Sequence, residues 1–324
     1  MRGGGSRTVI AVTLALGAMM TAGAVSSVAT ARNQPVSAAV RAGRCAQAGT
    51  AVPPPSMTSL PGHVQSFVVR GHPVLAYVPA AYAAMPDAGF PVVYFLHGDP
   101  GSAGDWISPA SGLPAILDGM IATGQLAPTI AVFPDGRRTG SDGSWWGDTA
   151  AGGDVETWLV HGLVPAVDSR YRTLGAGQRG VAGVSAGGLG ALNVFLHHPG
   201  MFSWVASYSG VFTAPGGVFG ASAAGDSPQL TVAGLPSDER VPLFVGGGAG
   251  DDEFLPETTR FVATVRSLGW APLDVDIVPG THGWEAWQTE AQASLVWLGR
   301  LWGTHPSPVS GLAAGTAGRS GCRS

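Results

Sequence analysis

The stretch GVAGVSAGGLGALNVFLHH, residues 180–198, changes character at its middle. Gly180–Val184 is apolar without alternation, as a strand buried on both faces is. Ala186–His198 follows with a helical pattern. Between them stands Ser185, with Gly183 and Gly187 two residues to either side. A serine on a sharp strand-to-helix turn needs small residues at those two positions, because the backbone there is strained and crowded. In a chain with 50 glycines among 324 residues the pentapeptide alone is a weak signal. The strand before it and the helix after it make Ser185 a candidate nucleophile.

The same alternation runs outward in both directions. Val64–Val69 and Val74–Val78 flank Arg70-Gly71-His72-Pro73 as an opening hairpin. Pro91–Leu96, Thr129–Phe133, Trp204–Tyr208, Pro242–Val245 and Leu273–Val278 read as further strands. Leu113–Ala122, Asp154–Tyr171, Pro256–Leu268 and Trp284–Trp302 suit helices, the second with Asp154 as its N-cap. Strands alternating with helices predict an α/β fold, with a mostly parallel central sheet covered on both faces. The folded domain is expected over 61–302. Residues 211–241, rich in Gly, Ala and Pro, form an insertion that is either a lid or a plain surface loop.

A serine hydroxyl is a weak nucleophile. It needs a base, and the base needs an acid to fix its tautomer. Of eight histidines, His282 alone lies in a loop directly after a late strand. His197 and His198 end a helix, where positive charge suits the dipole. The acidic run Asp251-Asp252-Glu253 follows the strand PLFVGG, so the chain order is Ser, Asp, His. Acyl transfer further needs two backbone N–H groups aimed at the developing oxyanion. Ala186 supplies one by position. The loop FLHGDPG, residues 95–101, supplies the other, with Asp99 as the candidate. His97 in that loop is read as a hydrogen-bonding or substrate-contacting residue rather than the base. Trp145 and Trp146 are candidates to stack on a sugar ring or cover an acyl chain, or else to pack beneath their loop.

Composition narrows the chemistry further. Hydrophobic residues are 45% and charged residues 12% of the chain, enough for a large core. Net charge is −4 with no basic stripe, which argues against nucleic acid as a partner. Every one of the 17 basic residues is Arg. That excludes a Schiff-base lysine, a Ser–Lys dyad and the lysine of a phosphate-binding loop. No metal-ligand spacing and no cofactor fingerprint appears, and neither is expected. Residues 1–31 read as a secretory signal: Arg2 and Arg7, an apolar run from Thr8 to Val28, then Ala29-Thr30-Ala31. No stable membrane span is expected after its cleavage, and the product is expected outside the cell or at the cell wall. Residues 32–60 and 303–324 read as a flexible leader and tail. Each holds one cysteine, Cys45 and Cys322, which export would permit to pair.

The segment GVSAGGLGALNVFLHHPGMFSWVASYSG resembles the nucleophile region of the putative-esterase family of α/β-hydrolases. That family includes esterase D, feruloyl esterases and mycolyltransferases. GTHGWEAW is similar to the mycolyltransferase His loop, and FLHGDPGSAGDW to the oxyanion loop of the esterases. The resemblance spans about residues 65–300. It implies that the acid lies two residues before a Phe-Leu pair, which Phe254-Leu255 turns into Asp252, with Asp251 as the alternative. Trp284 and Trp287 offer surface on which a sugar could stack. Mycolyltransferases carry an acidic trehalose contact where His97 stands and an arginine near Pro100; both are missing here.

The expectation is therefore a secreted serine carboxylic-ester hydrolase working through Ser185, His282 and Asp252 and an acyl-enzyme. Its substrate would be a small-molecule or glycan-linked ester. An acyltransferase passing the acyl group to a sugar hydroxyl uses the same triad. A non-catalytic binding protein on the same fold would not need a complete one.

Overall fold

The computed structural model describes residues 60–137, 145–303 and the backbone of 307–308. The signal segment, the leader with Cys45, most of the tail with Cys322, and Asp142-Gly143-Ser144 lie outside the described residues.

The architecture is the expected α/β one. Strands β1 (His63–Val69), β2 (His72–Val78), β3 (Val92–Leu96), β4 (Ile130–Pro134), β5 (Arg179–Val184), β6 (Trp204–Tyr208), β7 (Leu243–Gly248) and β8 (Leu273–Val278) form one eight-stranded sheet. Its spatial order is β1-β2-β4-β3-β5-β6-β7-β8. The β1–β2 hairpin and the β2–β4 pair are antiparallel, and all the other pairs are parallel. Helices α1 (Leu113–Ala122), α2 (in three consecutive pieces, Val155–Trp158, Leu159–Leu163 and Val164–Arg170), α3 (Ala186–His197), α4 (Leu255–Ser267) and α5 (Trp284–Trp302) cover it.

Pleating explains why the central strands read as unbroken apolar runs. Val92, Tyr94 and Leu96 of β3 pack into the core beneath α2, α3 and α4. Val93 and Phe95, one residue out of phase, pack into the opposite core beneath α1 and α5. A strand buried on both faces has no position left for a polar residue.

Three local expectations need correction. Asp154 makes no capping bond at the start of α2. Instead Asp148, paired with Asp154 in a two-residue antiparallel bridge, accepts the Thr157 N–H at 3.0 Å and the Thr157 hydroxyl at 2.6 Å. A capping group from the neighbouring strand satisfies the same orphan donors. Helix α2 is also interrupted by a π-turn over Leu159–Leu163, which carries His161. Residues 211–241 are not a bare loop. They bury Phe212, Phe219, Val232 and Leu235. They are tied to α3 by Asn193 Nδ2 donating to the Asp226 carbonyl at 2.7 Å, and to α4 by the Phe212 N–H donating to Glu257 at 3.0 Å.

Candidate active site

The C-terminal ends of the parallel strands carry the site, and it is built on a strained turn. Ser185, between β5 and α3, has φ +54° and ψ −120°. Few non-glycine residues occupy that region, and they are enriched at functional sites. The turn is so tight that a Cβ on Gly183 would strike the Gly187 carbonyl, and one on Gly187 would strike that of Leu96. The Ser185 N–H donates to the Tyr208 carbonyl on β6 at 3.0 Å, which holds the turn to the neighbouring strand.

His282 reaches Ser185 from the loop after β8. Its Nε2 lies 3.0 Å from Ser185 Oγ and its Nδ1 lies 2.7 Å from an Asp251 carboxylate oxygen. An ionised carboxylate only accepts, so the proton sits on Nδ1 and Nε2 is left to accept from the serine. Aromatic rings fix the imidazole plane. Phe254 stacks on it at 4.3 Å, and Trp287 meets it edge-on at 5.1 Å.

The acid is the one point where the expected triad shifts. Asp251, 3% exposed, makes the contact, whereas Asp252 is exposed. The reason is local. The other Asp251 oxygen accepts the Phe254 N–H at 3.1 Å, a turn closed three residues on, and this fixes Asp251 inward. The following residue then points away. The acid loop and the His loop are also joined directly: Ala249 N–H donates to the Val278 carbonyl at 2.7 Å, and Gly250 N–H to that of Gly280 at 2.8 Å.

The oxyanion loop is seated against the nucleophile. A Cβ on Gly98 would lie 3.4 Å from that of Ser185. His97 does not face a substrate: it is 5% exposed, donates from Nδ1 to the Gly98 carbonyl at 2.7 Å and accepts the Gly136 N–H on Nε2 at 3.1 Å. Burial holds its pKa below the usual imidazole range, outweighing the Gly98 carbonyl and Asp135, so it is a neutral brace for the loop. Trp146 is likewise a packing residue. It is 3% exposed, its indole N–H donates to the His97 carbonyl at 2.8 Å, and Gly136 and Gly190 make room for its ring. Of the readings open for each, His97 takes the hydrogen-bonding role and Trp146 the packing role, which corrects the alternative of substrate contact. Both residues neighbour the site in sequence, and the loop folds them beneath it.

Trp145 stays half-buried at the surface, and its indole N–H binds the Asp99 carboxylate at 2.8 Å. That bond turns the Asp99 charge toward Trp145. Trp145 and Phe254 join Leu189, Val211, Val218 and Phe219 in a small apolar cluster along the start of α3. Trp284 is half-buried and packs edge-on against Trp106 and Trp287.

The sequence reading missed Glu290. It is fully buried on α5, with Oε1 accepting the Ser209 hydroxyl at 2.8 Å and Oε2 without a hydrogen-bond partner. Glycine at 246 leaves space for that free oxygen. Burial first, and the nearby charges of Asp251 and Asp276 after it, push its pKa up from 4.5 to about 8, against the lowering effect of Ser209. Its signal in the sequence was periodic: Glu290 falls four residues from Ala286 and Ser294, all on the buried stripe of α5.

The comparisons with known proteins bear on family and fold. The model of the putative esterase family matches residues 70–298. The chain belongs to that family. It has the α/β-hydrolase fold and stands among the carboxylic ester hydrolases. An endo-1,4-beta-xylanase/feruloyl esterase of Xylanibacter ruminicola is 29% identical over 143 residues, 41% of this chain and 19% of that protein. The chain thus spans about a fifth of the length of that relative. A ferulic acid esterase structure superposes with a TM-score of 0.66 at 23% identity, covering 75% of this chain and 98% of that one. The Staphylococcus aureus serine hydrolase FphF superposes with a TM-score of 0.62 at 14% identity, covering 74% and 98%. Among the described residues no helix is long and apolar enough to cross a membrane.

Two outcomes follow from this geometry. Asp251→Asn should lower kcat on an ester substrate by about 10³–10⁴-fold, because the amide favours the wrong imidazole tautomer. Asp252→Asn, at an exposed position, should stay within a few-fold of the parent; steady-state kinetics of the two variants side by side checks the order. For Glu290 the folded pKa lies above the unfolded one, so the folded state holds an extra proton between about pH 4.5 and pH 8. Its contribution to stability is then full below pH 4.5 and lost as pH rises to about 8. Glu290→Gln should gain on the parent across that window, by on the order of a few kcal/mol. Urea unfolding midpoints of both proteins at a series of pH values measure the gap, and a gap constant with pH contradicts the assignment.

Proposed function

We propose that the chain is an exported serine hydrolase that cleaves carboxylic esters through an acyl-enzyme on Ser185, with water as acceptor. The observation that carries this reading is the continuous relay from Asp251 through His282 to Ser185 Oγ, with contacts of 2.7 Å and 3.0 Å. Ser185 Oγ attacks the ester carbonyl as His282 Nε2 takes its proton, and Asp251 stabilises the resulting imidazolium. The N–H groups of Ala186 and Asp99 receive the oxyanion. Ala186 is the first residue of α3, where a backbone donor has no partner within the helix and the dipole favours negative charge. His282 then protonates the departing alcohol. A water molecule, deprotonated by the same imidazole, attacks the acyl carbonyl and regenerates Ser185.

The apolar cluster of Trp145, Val218 and Phe254 beside the nucleophile suits an acyl or aryl group. The feruloyl ester named for the relatives is of that kind. Export rests on the reading of residues 1–31. Transfer to trehalose is disfavoured, because a sugar acceptor needs polar groups aimed at its hydroxyls and His97 is locked inside its loop.

A panel of p-nitrophenyl esters of increasing chain length tests the reaction. Ser185→Ala and His282→Ala should each lower kcat by about 10³-fold or more with unfolding midpoints preserved. Parent-like turnover by either variant would overturn the triad. Adding trehalose beside a short acyl donor tests the acceptor. Free acid should dominate the products; acyl-trehalose as the main product would make the protein a transferase.

A further inference from the structure

A second cluster of ligating side chains lies at the far end of the nucleophile helix. His197 ends α3 and His198 follows it, Glu156 sits in the first turn of α2, and Asp226 belongs to the 211–241 segment. His197 Nδ1 is 2.9 Å and His198 Nε2 is 3.0 Å from the same oxygen, Glu156 Oε1. One donor atom each from Glu156, His197 and Asp226 lies within 4.8 Å of the others. Glu156 is 7% exposed and Asp226 9%. The two imidazoles approach from different directions, with ring planes 77° apart.

We propose that this cluster is a binding site for a divalent transition metal of the Zn²⁺ class, with His197 Nδ1, His198 Nε2, Glu156 and Asp226 as ligands. The inference stands apart from the esterase reading. Two imidazoles and two carboxylates form a four-donor set such ions accept. Donors about 2.0–2.2 Å from a tetrahedral Zn²⁺ stand roughly 3.4 Å from each other. His197 Nδ1 and His198 Nε2 stand 2.9 Å and 3.0 Å from Glu156 Oε1, and one Asp226 oxygen lies within 4.8 Å of donors of Glu156 and His197; His198 is outside that group of three, so binding the ion would draw it toward Asp226.

The second observation is the far nitrogen of His197. Its Nε2 lies 3.1 Å from the Gly225 carbonyl. A carbonyl only accepts, so Nε2 carries the proton, and Nδ1 is the nitrogen free to ligate once its own proton is displaced. Metal-bound histidines are oriented by this kind of outer hydrogen bond. The four ligands come from α2, α3 and the 211–241 segment, so the ion would fasten that segment to the helix that begins at Ser185. Their numbers, 156, 197, 198 and 226, match no metal-binding spacing, so the cluster forms only in the folded chain.

The test uses the full chain, treated with a chelator and titrated with Co²⁺ and Zn²⁺ at mildly alkaline pH, where ligands shed protons readily. Co²⁺ should give the intense visible absorption of a four-coordinate site, and Zn²⁺ should bleach it and raise Tm by several degrees. His198→Gln and Asp226→Asn should each weaken Co²⁺ binding at least tenfold. His282→Ala should leave it intact, which separates this site from the triad imidazole. If a variant does not fold, the other carries the test, since the readout is the Co²⁺ spectrum rather than stability. Absence of a Co²⁺ spectrum in the parent, or undiminished binding in both variants, would overturn the proposal. Loss of esterase activity in Ser185→Ala with metal binding unchanged would leave each reading standing on its own result.

Discussion

The close approach of α3 to the end of β3 governs the arrangement of the site. Gly187 lies against the carbonyls of Leu96 and His97, and Gly183 against that of Gly187. Backbone packed this closely leaves no room for side chains, so the turn between β5 and α3 is forced and Ser185 takes a left-handed φ. That conformation holds the hydroxyl at the strand ends rather than in the core. The strain is offset by the many contacts of buried strands on either side, which is why such turns sit in the middle of a sheet rather than at its edge.

Everything else arranges itself around that fixed point. His97 cannot swing outward, because its carbonyl is held by Trp146 and its two ring nitrogens by Gly98 and Gly136. The loop it braces is therefore rigid where an oxyanion would be bound, and preorganised donors act without reorganisation during reaction. On the other side, the Gly246–Gly250 stretch lets the acid loop close onto the His loop, and Phe254 does two things at once. Its N–H fixes Asp251, and its ring fixes the imidazole.

The sheet and its helices were legible in the sequence because burial on both faces demands uninterrupted apolar runs, and the helices between them keep a distinct period. Ser185 and His282 were legible because each stands at a strand end in a glycine-bordered loop. The acid was not, because neighbouring residues in a turn point in opposite directions, and a spacing borrowed from relatives cannot tell Asp251 from Asp252. Orientation also decided His97 and Trp146, which have the right chemistry for a substrate contact and the wrong direction. The helical break at Leu159–Leu163 had no composition to announce it.

Glu290 belongs to the same set of residues whose meaning depends on depth. A carboxyl at that position of a surface helix would be ordinary. Here it lies under β7, with Asp251 and Asp276 as charged neighbours and Ser209 as its hydrogen-bond donor. Held neutral, it adds no second negative charge beneath the acid that orients His282. Were it ionised, like-charge repulsion would oppose the Asp251 carboxylate at short range and in a medium that screens poorly. Desolvation therefore keeps the charge count at the triad to one carboxylate, and α5, the helix that begins two residues after His282, supplies both the imidazole's aromatic wall at Trp287 and this buried acid.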